Sequence, residues 1–460
     1  MPKIKFPNHF LWGAATSAEQ CEGRGQTGKG LTKWDLHFQS DPNQFFEKVG
    51  PEITSDFARR YVQDIALWAQ IGIKAVRLSF SWARLFPDDQ KPSQSAVKFY
   101  HDVLDELAEH KIKALMTLSH FDLPAWAVQV GGWSNSKVRA AFLNYASLIF
   151  REYDAKTEAF ATFCEPIVET ICGYMGQKCH WPLAENYQLA FNVGNGLILL
   201  HAQTVSLFKS RPRHAKIGVV LNLSPVYPRR RDHAGDRKAA RAYETLHNRW
   251  MLEGMVAGKI GQPIRKLFAK LGARLELTSQ NLQTIAQVKC DYLGVNYYFP
   301  TRVREPVRAK SKSGLSTLFE TWKKPSARYN KSRGWEIYPR GIYRVMMRIS
   351  REFPGLPFYI SENGMGVANE NLFRDKSGKI ADFYRIDFLK SHLVWIQKAL
   401  AQGAPCFGFT LWSIFDCWSW LNAYKNRYGL IEIDLPTQTR RLKQSAFWYQ
   451  KIIKEGGFDV

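Results

Sequence analysis

The stretch SDFARRYVQDIALWAQIGIKAVRLSF, residues 55–80, contains one helix–strand unit. Over residues 55–73 apolar side chains recur every three or four positions, which predicts a helix with one buried face. The run KAVRLSF at 74–80 then predicts a short strand, in which Arg77 interrupts an otherwise apolar pattern. Strands that alternate with helices in this way favour parallel βα units. The apolar helical positions are Phe57, Tyr61, Ile65, Trp68 and Ile71.

The same alternation continues in both directions from this unit. Helical patterns occupy residues 97–110, a segment near 137–153, and a long segment that begins near Glu185. Together with 74–80 there are eight predicted strands, and eight βα units predict an α/β fold, a single (β/α)8 TIM barrel over residues 1–460. The long segments around 225–240 and 300–335 are interpreted as rim loops. The other seven strands are predicted at 7–17, 113–121, 158–166, 215–225, 290–298, 356–364 and 404–413.

The chain is strongly basic, with 64 Lys and Arg against 41 Asp and Glu and a net charge of +23. This charge favours anionic partners, whether a phosphorylated substrate, nucleic acid or an acidic surface. Basic residues are denser at 229–231 and 302–333, which are either solvated loops or a binding surface. No nucleic-acid recognition motif accompanies them, so we expect a small-molecule substrate and no nucleic-acid partner.

Several functional classes lack their signals in this sequence. The seven cysteines show no Cys-x-x-Cys pair or zinc-type spacing, so we expect reduced thiols and neither a metal nor a cofactor. The N-terminus lacks the apolar core of a signal peptide, and no apolar run approaches the roughly 20 residues of a membrane span. A cytoplasmic protein without a membrane partner is expected, with its oligomeric state open. Segment 23–30 resembles a phosphate-binding P-loop, but it ends in Gly where Ser or Thr is needed to hold magnesium, so we do not predict a P-loop.

Two predicted strands end in a carboxylate within a distinctive local sequence. Thr162-Phe-Cys-Glu-Pro166 contains Glu165, and Tyr359-Ile-Ser-Glu-Asn-Gly364 contains Glu362. In a TIM barrel such strand ends form the functional face. Glycoside hydrolysis needs one acid to protonate the leaving oxygen and one carboxylate facing the anomeric carbon. The pair therefore indicates a glycosidase, although a carboxylate at a strand end is also common as a surface residue.

Other strand ends supply candidate supporting residues. Arg77 is a lone charge in an otherwise apolar strand and needs a partner, either Glu362, which it would keep ionised, or a structural Asp. Tyr298 ends the sixth predicted strand and can donate a hydrogen bond to the same carboxylate. Gln20 and His120 can bind sugar hydroxyls, and Trp412, at the end of the eighth predicted strand, offers a flat face for stacking.

These motifs resemble glycoside hydrolase family 1 over essentially the whole chain. The resemblance implies a (β/α)8 fold and retention of anomeric configuration, with Glu362 as nucleophile and Glu165 as acid/base about 5–5.5 Å away. It assigns Arg77 and Tyr298 to orienting the nucleophile, and it places Trp335 on the leaving-group side. It also assigns sugar binding to Gln20, His120 and Trp412. The matching segments are FLWGAATSAEQCEG (10–23), SHFDLP (119–124), TFCEP, GVNYY (294–298), YISENG, LWSIFDCWSW (411–420) and QSAFWYQ (444–450).

One departure from the family pattern lies beside the acid/base residue. Cys164 occupies the position of an Asn that, in the family, binds the 2-hydroxyl of the sugar. A thiol is a weak hydrogen-bond donor, so we expect lower turnover than in Asn-containing relatives. A catalytically weakened sugar-binding member is the corresponding alternative.

A second departure concerns the sugar that is bound. Family members acting on plain sugars usually carry Glu where this chain has Ser419, and Ser is similar to the 6-phospho-β-glycosidases, whose phosphate site follows Ser-x6-Lys-x-Tyr. Ser419 and Tyr428 match, but Asn426 replaces the Lys and Lys425 precedes it. The resemblance therefore favours a 6-phospho-β-glycoside substrate and leaves unphosphorylated glycosides as the alternative. Trp420, also a candidate sugar contact, leaves glucoside and galactoside open.

Overall fold

The computed structural model of the protein describes residues 3–25, 28–177, 179–307 and 313–459. In these residues eight parallel strands, β1 to β8, pair in chain order, and pairing of β8 with β1 closes a barrel. The predicted (β/α)8 barrel is therefore confirmed, and each strand lies inside its predicted segment. The strands are Leu11–Ala15, Ala75–Ser79, Lys113–Ser119, Ala159–Cys164, Lys216–Asn222, Tyr292–Asn296, Phe358–Glu362 and Cys406–Trp412.

Helices surround the barrel and follow the predicted periodicity. The helix from the opening stretch spans Phe57–Ile71, buries four of the five predicted apolar positions and leaves Tyr61 half-buried. It ends at Gly72, whose φ of 86° is the left-handed conformation that glycine adopts without strain. The other helices of eight or more residues are Lys33–Ser40, Gln94–Glu109, Ser136–Tyr153, Pro166–Tyr174, Tyr187–Lys209, Ala234–Glu244, Gln262–Lys270, Ser279–Ala286, Arg340–Glu352, Phe383–Leu400 and Gln444–Glu455.

The two strands that end near the candidate carboxylates are irregular just before them. Pairing of β4 with β5 shifts register between Ala161 and Cys164, and pairing of β7 with β6 shifts between Ile360 and Glu362. Such irregularities redirect side chains and are frequent next to active sites. Here they precede Glu165 and Glu362 directly.

The predicted rim loops contain more regular structure than expected. Val226–Pro228, Thr301–Arg304 and Glu320–Thr321 form a three-stranded sheet, and Ala234–Glu244 is a helix. Strand pairing gives hydrogen-bond partners to backbone N–H and C=O groups that would otherwise lack them. Residues 308–312 of the second segment lie outside the described residues.

The cysteines also differ from the expectation of reduced thiols. A disulfide joins Cys172 to Cys179, whose Cα atoms are 5.1 Å apart. The pair was missed because the turn after helix Pro166–Tyr174 brings the two residues together without a familiar spacing.

In the P-loop-like segment, of which residues 26 and 27 lie outside the described part, Lys29 pairs with the buried Glu19 at 2.7 Å. No described helix is both long and apolar enough to cross a membrane.

Candidate active site

A cavity of about 470 Å³ lies at the carboxyl ends of the barrel strands. It brings together ten of the residues predicted from the sequence. Arg77 and Cys164 are buried next to Glu362, whereas Lys425 lines a separate pocket and Asn426 is buried. The ten lining residues are Gln20, His120, Glu165, Tyr298, Trp335, Glu362, Trp412, Ser419, Trp420 and Tyr428.

Both oxygens of Glu362 are held by strong donors. Oε1 accepts a hydrogen bond from the Arg77 guanidinium, and Oε2 accepts one from the Tyr298 hydroxyl at 2.6 Å. Glu362 ends β7, Arg77 lies within β2, and Tyr298 follows β6 by two residues. Because a buried ion pair with additional hydrogen bonds favours the charged forms of both groups, the arrangement suits an ionised carboxylate in a fixed orientation.

Arg77 also determines the protonation of His120. Its Nη1 lies 2.9 Å from His120 Nδ1, and because Arg only donates, Nδ1 accepts. Burial and the charge of Arg77 hold the pKa of His120 well below its usual value. The neutral ring therefore carries its proton on Nε2, which makes that nitrogen a donor for a ligand oxygen in the cavity.

Glu165 has a different environment. Its Oε1 accepts from Asn296 Nδ2 at 2.7 Å and from Asn222 Nδ2 at 2.9 Å. Burial raises its pKa to about 7, the negative charge of Glu362 adds to the rise, and the two amides oppose it. Since Oε1 is occupied by the two amides, Oε2 is the atom left to carry a proton.

The backbone at Glu165 is set by its neighbours in the sequence. Glu165 has φ 50° and precedes Pro166, the first residue of a helix. Proline is favoured at that position, and it disfavours the right-handed helical conformation in the residue before it. The left-handed conformation is uncommon for a non-glycine residue.

The amides of Asn222 and Asn296 were not singled out in the sequence. Both are the last residues of buried strands, β5 and β6. Ser361 Oγ donates to Asn296 Oδ1 at 2.6 Å, which leaves the Asn296 amide nitrogen directed to Glu165. An amide at the end of an apolar strand was the available signal for both residues.

Cys164 contacts Glu362 and the Asn296 amide. Its Sγ is 3.6 Å from Glu362 Oε1 and 3.6 Å from Asn296 Nδ2. Burial, followed by the charge of Glu362, raises the pKa of the thiol well above its usual value, so it is neutral. At this position the side chain can give Glu362 only a weak hydrogen bond.

Ser419, Trp420 and Tyr428 line the cavity in the segment that follows β8. Trp420 stacks on Trp34 with ring centroids 4.6 Å apart. Arg333 also lines the cavity, and its guanidinium carbon lies 4.4 Å from the centre of the Trp335 ring. Arg333 belongs to the basic segment 302–333, and no motif in the sequence indicated a role for it.

Three side chains near Glu362 have atoms that could bind a metal. Ligand atoms of His120, Cys164 and Glu362 lie within 4.8 Å of one another. The Arg77 guanidinium contacts both His120 and Glu362, and its positive charge opposes a second cation at this point. The geometry suits an anion–guanidinium pair rather than a metal centre.

The chain is similar to known proteins over its whole length. The model of "Glycosyl hydrolase family 1" matches residues 2–458. The chain is 36% identical to 6-phospho-beta-glucosidase GmuD of Bacillus subtilis (strain 168), covering 99% of each chain. It is 32% identical to Beta-glucosidase A of Acetivibrio thermocellus, covering 100% of each. The structure is similar to a family 1 b-glucosidase from Thermotoga maritima, with TM-score 0.92, 28% identity and 100% coverage of both chains. With its closed barrel and paired carboxylates, the chain belongs to glycosyl hydrolase family 1 and is a β-glycosidase.

Proposed function

We propose that the protein hydrolyses 6-phospho-β-glycosides with retention of anomeric configuration, in one catalytic domain and without a cofactor. Glu362 is the nucleophile and Glu165 the acid/base. The observation that carries the assignment is the contrast between the two carboxylates. Glu362 is paired with Arg77 and Tyr298, whereas the pKa of Glu165 is raised to about 7. A carboxylate paired with a cation, next to a carboxyl group whose burial favours its protonated form, is typical of a nucleophile and an acid.

The proposed first step forms a bond between Glu362 and the anomeric carbon. The bond to the leaving oxygen breaks with its electron pair, and Glu165 gives that oxygen the proton held on Oε2. Formation of the glycosyl ester removes the negative charge of Glu362. The pKa of Glu165 then falls, because that charge was one cause of its elevation.

In the second step Glu165 acts as a base. It takes a proton from water, the water oxygen bonds to the anomeric carbon, and Glu362 leaves as a carboxylate. We propose that Gln20, His120 and Trp412 hold the sugar during both steps. Trp335 would contact the leaving group.

Two observations favour a phosphorylated sugar. Ser419 lines the cavity at the position where relatives acting on plain sugars carry a Glu, so no carboxylate repels a phosphate there. The comparisons include relatives named 6-phospho-beta-glucosidase and 6-phospho-beta-galactosidase at 36% and 32% identity. They include a beta-glucosidase at 32% as well, which keeps unphosphorylated glycosides as the second candidate.

Parallel assays on nitrophenyl β-glucoside, nitrophenyl β-galactoside and the 6-phosphate of each test the proposal. We expect kcat/KM to be about 10- to 100-fold higher for a phosphorylated substrate, the range of one hydrogen bond to a charged group. A preference for a plain glycoside would instead support the second candidate. Failure of 2-fluoro glycosides, plain or phosphorylated, to label Glu362 would indicate a sugar-binding protein with weakened catalysis.

A further inference from the structure

Arg333 is the only Lys or Arg among the described residues that line the cavity. The three histidines there are neutral at pH 7, because burial lowers the pKa of His120 well below its usual value and those of His180 and His247 to about 4. Arg77 lies beneath the cavity and is paired with Glu362. The cavity therefore offers an anionic ligand one full positive charge that is not already neutralised.

No carboxylate among the described residues pairs with Arg333. Its guanidinium stacks on Trp335, and its Nε is buried without a hydrogen-bond partner in the described part of the chain. A planar guanidinium held against an aromatic face keeps its N–H edge available, and that edge matches two phosphate oxygens.

Hydrogen bonds hold the turn that carries Arg333 against the segment that pairs with the strand before Tyr428. Asn330 Nδ2 donates to the Gly366 carbonyl at 2.9 Å, and the Ala368 N–H donates to Ser332 Oγ at 3.0 Å. Strand Val367–Ala368 pairs in turn with Asn426–Arg427, which leads into Tyr428. The charge of Arg333 also opposes the rise that burial causes in the pKa of Tyr428.

The cations next to position 426 point elsewhere. Lys425 Nζ lies 5.6 Å from the centre of the Phe46 ring, in a separate pocket. Arg427 donates to the Ile433 carbonyl at 3.2 Å and lies 3.7 Å from Asp416. Asn426 is buried, and its amide nitrogen is 3.5 Å from Asn422 Oδ1. None of the three lines the cavity.

We propose that Arg333 is the cation that recognises the sugar 6-phosphate, together with Ser419 and Tyr428, in place of the lysine absent at position 426. This inference rests on the proposed 6-phospho-β-glycosidase function and names a specificity-determining residue for it. The charge comes from the turn at 330–335, which carries Arg333, and not from position 426.

The test measures the ratio of kcat/KM for the 6-phosphate to kcat/KM for the plain glycoside in five proteins. These are the wild type, Arg333→Gln, Arg333→Lys, Lys425→Gln and Lys331→Gln, the last replacing an exposed cation on the same turn. We expect Arg333→Gln to lower the ratio about 10- to 100-fold, the range of one charged hydrogen-bonding contact. Competitive inhibition by glucose 6-phosphate should weaken in parallel, and Lys331→Gln should leave the ratio unchanged. Arg333→Lys should recover part of it, because a point charge replaces a bidentate contact.

A wild-type preference for the phosphate that survives Arg333→Gln would overturn the inference and leave the proposed function intact. A ratio that falls in Lys425→Gln and not in Arg333→Gln would assign the phosphate to Lys425 instead. Absence of any wild-type preference would overturn the proposed substrate, and the inference with it.

Discussion

Glu165 and Glu362 line one cavity and differ in the groups that contact them. Glu362 receives hydrogen bonds from a guanidinium and a phenol, and Glu165 receives two from neutral amides. The guanidinium supplies a full charge that compensates Glu362. The amides supply only dipoles, and burial dominates the pKa of Glu165.

The pH dependence of kcat/KM should report this difference. We expect an alkaline limb with an apparent pKa near 7, because the first step needs protonated Glu165 and the rate falls as pH rises through that value. Asn222→Ala removes a donor to the carboxylate, so the limb should move to higher pH. All variants are assayed on the same substrate, so titration of the substrate phosphate affects every pH profile equally and does not change the difference between variants.

Glu165→Gln is the control for that assignment. It should abolish the limb and lower kcat/KM by about 10²- to 10⁴-fold with a poor leaving group. An activated leaving group should be affected much less. A limb near 7 that persists in Glu165→Gln would show that another group titrates.

Cys164 permits a second prediction at the residue scale. Replacing the weak thiol donor by an amide in Cys164→Asn should raise kcat/KM about 10-fold, since a contact to the 2-hydroxyl strengthens in the transition state. The ratio of kcat/KM for the glycoside to kcat/KM for its 2-deoxy analogue should rise by a similar factor. Unchanged kinetics in a variant with an unaltered circular dichroism spectrum would contradict a role for residue 164 in contacting the 2-hydroxyl.

At the scale of elements, the segment after β8 is held by a buried ion network. Lys443 Nζ bonds both Glu370 and Asp416, and Asp416 Oδ1 accepts from the Gly429 N–H at 2.9 Å. Arg385 adds further contacts to Glu370 and to the carbonyl of Tyr428. The network therefore positions the chain that carries Ser419 and Tyr428.

Lys443→Met should destabilise the fold by about 3–5 kcal/mol, because it removes the cation that two buried carboxylates share. The control is Lys451→Met, whose side chain is 66% exposed and pairs at 3.9 Å with Glu455. That variant should change the free energy of unfolding by no more than about 1 kcal/mol. Denaturant unfolding of both variants measures the difference, and equal effects would argue against the network.

Secondary structure was predictable where local periodicity decides it. All eight strands and the helix Phe57–Ile71 follow from apolar spacing. The sheet Val226–Pro228, Thr301–Arg304 and Glu320–Thr321 does not, because the pairing of its first two strands joins segments about 75 residues apart and all three strands are short.

At the scale of the whole molecule, the net charge of +23 acts on any anionic substrate. We expect kcat/KM for a 6-phosphate substrate to fall as ionic strength rises, because salt screens the attraction that concentrates anions near the protein. A plain glycoside is uncharged and should show no such dependence. Stopped assays from about 0.01 to 1 M salt span the Debye lengths that matter. Equal salt dependence for both substrates would show that the charge does not steer the substrate.

The sequence by itself determined the order of strands, the two catalytic candidates and the departures at Cys164, Ser419 and Asn426, because these depend on local periodicity and short motifs. Beyond Arg77 and Tyr298, only the tertiary structure decided which groups surround the two carboxylates. Asn296 reaches Glu165 across 131 residues of sequence, Lys425 faces away from the cavity, and Arg333 enters it from a distant turn. Side-chain direction and burial depend on packing between segments far apart in the chain, and no local pattern encodes that packing.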